Sequence, residues 1–257
     1  MSDLESFLTT GVYAFMIAFT RIGTALMIMP GIGNTFVPAN IRLFFALGFA
    51  LVFFPVIQTS LPVKIPATPV LLTVMMCEFV IGMFIGLIAR ALMAALDTAG
   101  FIVSSQSSLA NAQLFNPTFA TQGSIIGTFL TLSGMLLLFT TDMHHLMILG
   151  IVQSYDIFPV GKVPDVGSMS ELLTTAVAGG FMVGIQITAP FLVIILLLYI
   201  AMGVMSKLMP QVQVFMIAIP VQIYIALVLL ALTMSGMLLI WLDQFDKGMK
   251  FFLNSGG

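Results

Sequence analysis

Leu172-LTTAVAGGFMVGIQITAPFLVIILLLYIAMGVM-Ser206, then Lys207-Leu-Met-Pro210, then Gln211-VQVFMIAIPVQIYIALVLLALTMSGMLLIW-Leu242. The two runs hold 35 and 32 residues without one charge. A bilayer core of ~30 Å needs about 20 helical residues. Straight helices of this length would measure roughly 50 Å each. They are too long for simple spans, so tilt, breaks or burial outside lipid must take up the excess. Pro210 lacks a backbone donor and clashes with the preceding turn, so it is read as the hairpin between them.

Four shorter apolar regions precede this pair: Gly11–Met29, Leu43–Ile57, Val70–Ala89 and Ser124–Thr141. Each is near or below the length of one span. Breaks are also expected at Pro55, Pro190 and Pro220. Turn chemistry marks loops at Pro30–Pro38, Pro62–Pro69 and Tyr155–Met169. No internal repeat or low-complexity tract is found. The fold class is all-α, one unit of membrane-type helical hairpins.

Composition agrees. Eight basic and ten acidic residues are 7% of the chain, and mean hydropathy is +1.17. Soluble domains carry about a quarter charged residues. A net charge of −2 offers no basic field for nucleic acid. The single Cys77, beside Met75 and Met76, reads as a small buried apolar residue and cannot form a disulfide within the chain. Asp3 and Glu5 stand where a cleavable signal would be basic, so the first apolar region is expected to stay. Loop charge sorts into Lys64, Lys162, Lys247 and Lys250 against Arg42, Arg90 and Lys207. That split sets no orientation under the positive-inside rule. No G-x-x-x-x-G-K-S/T nucleotide motif occurs.

Thr98–Thr141 is uncharged for 44 residues, yet Gly100–Ser124 within it is polar. Such backbone survives at membrane depth when buried in protein or lining a wet cavity. Asp97, Ser104, Ser108 and Asn111 fall on one helical edge, either facing a pore or hydrogen-bonding packed helices. A neutral polar lining suits passage of varied cargo, because fixed charge would trap segments of opposite sign.

Charged residues inside apolar runs are costly and prompt a search for partners. Arg21, Glu78, Arg90 and Asp97 are the candidates. An intersubunit ion pair is favoured for Arg21 and Glu78. Arg90 and Asp97, seven apart, share a helix face two turns from each other. Asp142, His144 and His145 form a further cluster. Asp142 and His145 have ligand spacing, but a polar break after Ser124–Thr141 is the ordinary reading, and no metal or cofactor is assigned. The twenty methionines are read as adaptable core filling, densest around Met202, Met205, Met209 and Met216.

Three motifs add a resemblance. Gly203-Val-Met-Ser-Lys-Leu-Met-Pro-Gln-Val-Gln-Val-Phe-Met-Ile-Ala-Ile-Pro220 resembles the C-terminal hairpin signature of the FliR family. Gly100-Phe101, Gln106, Asn116-Pro117 and Gln122 are similar to a second stretch of it. Asp142-Met-His-His-Leu146 with Ser154-Tyr155 and Phe158-Pro-Val-Gly161 resembles a third. Arg21-Ile-Gly23, Pro30, Val37-Pro38 and Ile41-Arg42 are also similar, so the resemblance covers most of the chain. Two positions depart: Ser107-Ser108 where the family usually has Met-Gly, and Met143 where it has Gly.

The resemblance implies a non-enzymatic core subunit of the type III export gate at the base of the bacterial flagellum. It would form part of a closed channel for unfolded flagellar proteins across the inner membrane. The implied partners are P-type and Q-type paralogues (FliP, FliQ), FlhB-type and FlhA-type subunits, unfolded export substrates and membrane lipid. Residues 1–171 would be the P-like part and 172–257 the Q-like hairpin and tail, within a helical multi-subunit cone largely at periplasmic level. A lumen-blocking plug is implied at 109–123, with Leu114, Phe115, Asn116 and Pro117 at its centre. Gln106, Ser108, Asn111 and Gln122 would line the pore beside it. Met205, Lys207, Met209, Pro210, Gln211 and Phe215 would form the hairpin at the cytoplasmic entrance.

Alternatives remain open: the equivalent subunit of a virulence injectisome, a secondary transporter, or a metalloenzyme at Asp142, His144 and His145. A transporter is disfavoured because Leu172–Ser206 holds no charge to couple an ion.

Overall fold

The computed structural model describes residues 2–34, 36–57, 67–109, 124–211 and 213–254. None of these lies in a strand. In lipid every backbone N–H and C=O must be satisfied within the protein, and for an apolar chain without closed strands that leaves helices. Among the described residues there are seven: α1 Ser2–Ile28, α2 Ala39–Ile57, α3 Thr68–Gln106, α4 Ile125–Thr140, α5 Met143–Ile157, α6 Val166–Leu208 and α7 Val214–Asn254. Five are long and apolar enough to cross a membrane. A sixth span arises if α4 and α5, bent by 76° at their joint, count as one.

Each of the six expected apolar regions falls in a helix, but three boundaries differ. Helix α3 does not stop near Ala89. It continues for 39 residues through Arg90 and Asp97 to Gln106, so the first turns of the polar stretch are helical. The alanines and leucines between the two charges keep helix propensity high. Helix α5 was not anticipated, because His144, His145, Gln153, Ser154 and Asp156 lower its apolar signal. Tyr155–Ile157, expected in a loop, closes that helix, and α6 already begins at Val166.

Pro210 does separate the long pair: α6 ends at Leu208 and α7 starts at Val214. Pro55, Pro190 and Pro220, expected as breaks, lie inside α2, α6 and α7. Neighbouring groups in membrane helices can re-satisfy the carbonyl a proline frees. Helix α6, at 43 residues, is about 65 Å long, twice a bilayer core. Asp165 caps it: the Gly167 N–H donates to Asp165 Oδ1 (3.0 Å) and the Ser168 hydroxyl to Oδ2 (2.6 Å).

The chain forms two compact units. The first comprises Met1–Leu92, Phe139–Val177 and Phe245–Gly257; the second comprises Met93–Leu138 and Ala178–Gln244. In the first, Ile17, Ile22, Leu26, Ile81 and Ile85 are fully buried, and Phe84 meets Phe158 and Phe252 edge-on. Gly82 makes the crossing of α1 and α3 possible, since a Cβ there would lie 2.4 Å from the Arg21 carbonyl oxygen. In the second, Leu96, Leu130, Phe191, Ile195 and Trp241 form the buried set. Gly100 stands against the backbone of Gly127, with room for no side chain. Outside that core, α6 and α7 expose Val193, Leu196, Leu197, Ile200, Tyr224 and Leu232. Apolar surface on this scale requires lipid or protein to cover it.

Candidate functional site

In the first unit, α1 places Arg21 and α3 places Glu78 in a dry interior, both with no exposed surface. Arg21 Nε donates to Glu78 Oε2 (2.5 Å) and Nη2 to Oε1 (3.0 Å), a bidentate pair. The remaining donors reach the end of α5. Nη1 donates to the Ser154 carbonyl (2.9 Å) and hydroxyl (3.3 Å), and Nη2 to the Phe158 carbonyl (2.8 Å). A guanidinium has five N–H donors, and all five are used. The Tyr155 ring lies 4.0 Å beneath its Cζ.

The cation thus meets a carboxylate and the negative end of a helix dipole at once, which is how a buried charge is kept. The expected intersubunit pairing is corrected here: Arg21 and Glu78 pair with each other inside one chain. Their burial leaves no face for a neighbour.

The second unit is held by neutral groups. The Thr131 hydroxyl donates to Asp97 Oδ1 (2.7 Å), linking α4 to α3. Ser124, N-cap of α4, accepts from the Gly127 N–H (3.0 Å) and donates to the Gly100 carbonyl (2.9 Å). Past the end of α3, Ser108 adopts φ 61°, the left-handed region that favours glycine. Its hydroxyl donates to Gln222 Oε1 of α7 at 2.6 Å. Gln222 is buried, and its amide nitrogen lies 3.9 Å from Met202 Sδ on α6. Ser108 therefore ties three helices at one polar node, beside the small core of Met202, Val214 and Ala218.

The other expected site residues are placed as follows. Arg90 and Asp97 are exposed on α3. Ser104 is buried, Gln106 half-buried at the helix end. Met205, Lys207, Met209, Pro210 and Gln211 are all exposed around the α6–α7 turn, and Phe215 lies in the first turn of α7. Asn111, Leu114, Phe115, Asn116, Pro117 and Gln122 lie outside the described residues. Gln222 and Thr131 were missed, and Ser154 and Tyr155 were read as motif residues without a role. A glutamine deep within the apolar part of a helix was the available signal for the first.

At the joint of α4 and α5, Asp142 has φ 58° and ψ 14°; its carbonyl accepts the His145 N–H (2.9 Å), but its side chain makes no capping bond. Its Oδ1 lies 3.7 Å from His145 Nδ1. The His144 and His145 rings stack at 4.1 Å, and Phe139 faces His144 at 5.1 Å. Both imidazoles border a cavity of about 360 Å³ walled by Leu26, Met29, Phe45 and Phe49.

An all-α chain with five or six span-length helices, and with two of the charges inside them, Arg21 and Glu78, buried as one internal pair, is an integral membrane protein of the helical class. Its residues 12–248 match the family model described as bacterial export proteins, family 1, and the chain belongs to that family. It is similar to the flagellar biosynthetic protein FliR of Caulobacter vibrioides, 38% identical over 94% of this chain and 96% of that protein. The FliR protein of Aquifex aeolicus is 30% identical over 96% and 94%. The Yop proteins translocation protein T of Yersinia pestis is 26% identical over 71% and 70%.

Proposed function

We propose that this chain is a core subunit of the flagellar type III protein export gate, part of a closed channel for unfolded flagellar proteins in the bacterial inner membrane. The observation that carries this is end-to-end similarity to FliR proteins, on a chain built of span-length helices. In this reading the chain does no chemistry of its own. It assembles with P-type and Q-type paralogues (FliP, FliQ) into a helical cone and meets FlhB-type and FlhA-type subunits at its entrance. The apolar faces of α6 and α7, exposed in the isolated chain, are surfaces such neighbours would cover.

Within the proposal, residues 1–171 are the P-like part, 172–257 the Q-like part, and 109–123 the plug. Arg90 and Asp97, exposed on α3, are the charges left to meet neighbours. The turn at Met205–Gln211, with Phe215, is the entrance hairpin. Much of the assembly would lie at periplasmic level, which suits helices twice as long as a bilayer is thick. Deleting Leu114–Pro117 tests the plug: ion leak through the assembled gate should rise, and an unchanged leak rejects it.

The similarity to the Yersinia translocation protein supports a second reading, the corresponding injectisome subunit. Complementation separates them. Restored swimming in a host lacking its FliR supports the flagellar gate. Restored effector secretion in an injectisome mutant, without swimming, replaces it with the second reading.

A further inference from the structure

We propose that Asp142, His144 and His145 form a binding site for one borderline divalent transition-metal ion, of the zinc, cobalt or nickel class, at the turn between α4 and α5. Three donors, one from each side chain, lie within 4.8 Å of one another. At metal–ligand distances of about 2.0–2.1 Å, tetrahedral donors stand roughly 3.4 Å apart. The pair Asp142 Oδ1 and His145 Nδ1, at 3.7 Å, is already close to that spacing. It is also too long for a hydrogen bond between them.

Two of the three groups lack the ordinary bond expected of them. Asp142 sits at the N-cap of a 15-residue helix, where a carboxylate normally accepts backbone N–H bonds, and makes none from its side chain. His144 Nδ1 is buried with no hydrogen-bond partner, on a ring packed between Phe139 and His145. An orphaned buried ring nitrogen carries a desolvation cost that a metal bond would offset.

The donor set selects the ion. Two imidazoles and one carboxylate suit zinc, cobalt or nickel, whereas calcium and magnesium ask for more oxygen ligands. An anion would face the Asp142 carboxylate. Access is open, because the Asp142 and His145 side chains are 74% and 67% exposed. The fourth coordination position would fall to water. Bound there, the ion would lock the left-handed Asp142 onto the first turn of α5 and stiffen the 76° joint.

The test uses the tag-free full chain, purified with its co-expressed partners, stripped with chelator and titrated with Co²⁺. One ion per chain with the visible bands of tetrahedral Co²⁺, displaced by Zn²⁺, is the expected result. Asp142→Asn and His145→Ala should each weaken binding at least tenfold while the complex stays intact on a sizing column. No saturable binding, or uptake that persists in a His144→Ala/His145→Ala variant, overturns the site.

Discussion

Arg21 and Ser108 are both polar residues that leave an apolar helix environment to find partners across the fold, and they solve the problem differently. Arg21 is a full charge whose five donors meet five acceptors in a dry interior. Ser108 is neutral, part-buried, backbone-strained, and held by one short bond to Gln222. A buried charge without its partner is prohibitive, so the first arrangement is all or nothing. A neutral hydrogen bond is worth about 1 kcal/mol, so the second can open and close. The lesson is that charge fixes the first unit, while neutral polar contacts hold the turn past α3 to the α6–α7 pair.

The largest expected effect breaks the charged side of this contrast. Arg21→Leu leaves Glu78 buried and unpaired and should cost about 3–5 kcal/mol, as should Glu78→Leu. The measurement is protease resistance and yield of the folded chain in detergent. The double variant should cost less than the sum, because neither charge is then left alone. Additive losses would show that the two side chains do not act as a pair.

Packing comes next. Gly82→Val should cost about 1–3 kcal/mol by forcing α1 from α3, and Gly100→Val should do the same where α3 meets α4. Thermal stability in detergent reads both. If Gly82→Val were silent, the close crossing that brings Arg21 to Glu78 would be wrong.

Smaller effects sharpen the neutral side. Ser108→Ala or Gln222→Leu should each cost about 1 kcal/mol. Ser108→Gly should be nearly neutral, since losing the bond is offset by relief of a left-handed backbone worth roughly 1–2 kcal/mol. A Ser108→Gly cost as large as that of Arg21→Leu would erase the distinction between the two regions.

Least of all is Asp165, exposed before α6. Hydrogen bonds from the Ser168 hydroxyl and the Gly167 N–H hold its carboxyl below the usual range. The cap therefore contributes fully above the unfolded value of about 3.9 and is lost as pH falls through the lower folded value. Protection of the amides in the first turn of α6, measured against the intrinsic exchange rate at each pH, should fall below that pH. In Asp165→Ala this fall in protection should vanish.

Much of this fold was legible because its signals are long. Six apolar runs gave six helices, and Pro210 gave the turn between the last two, where α6 has no way to continue. Pro190 and Pro220 misled because a proline in a long packed helix removes one bond among dozens. Helix α5 was hidden by its own histidines and polar residues, which join it to the joint and to Arg21. The cost of burying Arg21 and Glu78 pointed to partners, yet their pairing within one chain depends on the α1–α3 crossing at Gly82, which no spacing encodes. Two further partners of Arg21 are backbone carbonyls at the end of α5, and carbonyls carry no sequence signal. Gln222 lies inside an apolar run, indistinguishable there from a lipid-facing polar residue until Ser108 is seen against it.

The central claim, that this chain is one subunit of an export gate, is tested most directly by native mass spectrometry after co-expression with its neighbouring genes and gentle solubilisation. The account predicts a large complex of fixed mass, with one copy of this chain beside several copies of two smaller hydrophobic proteins. A stable, well-folded monomer or simple homodimer would contradict it.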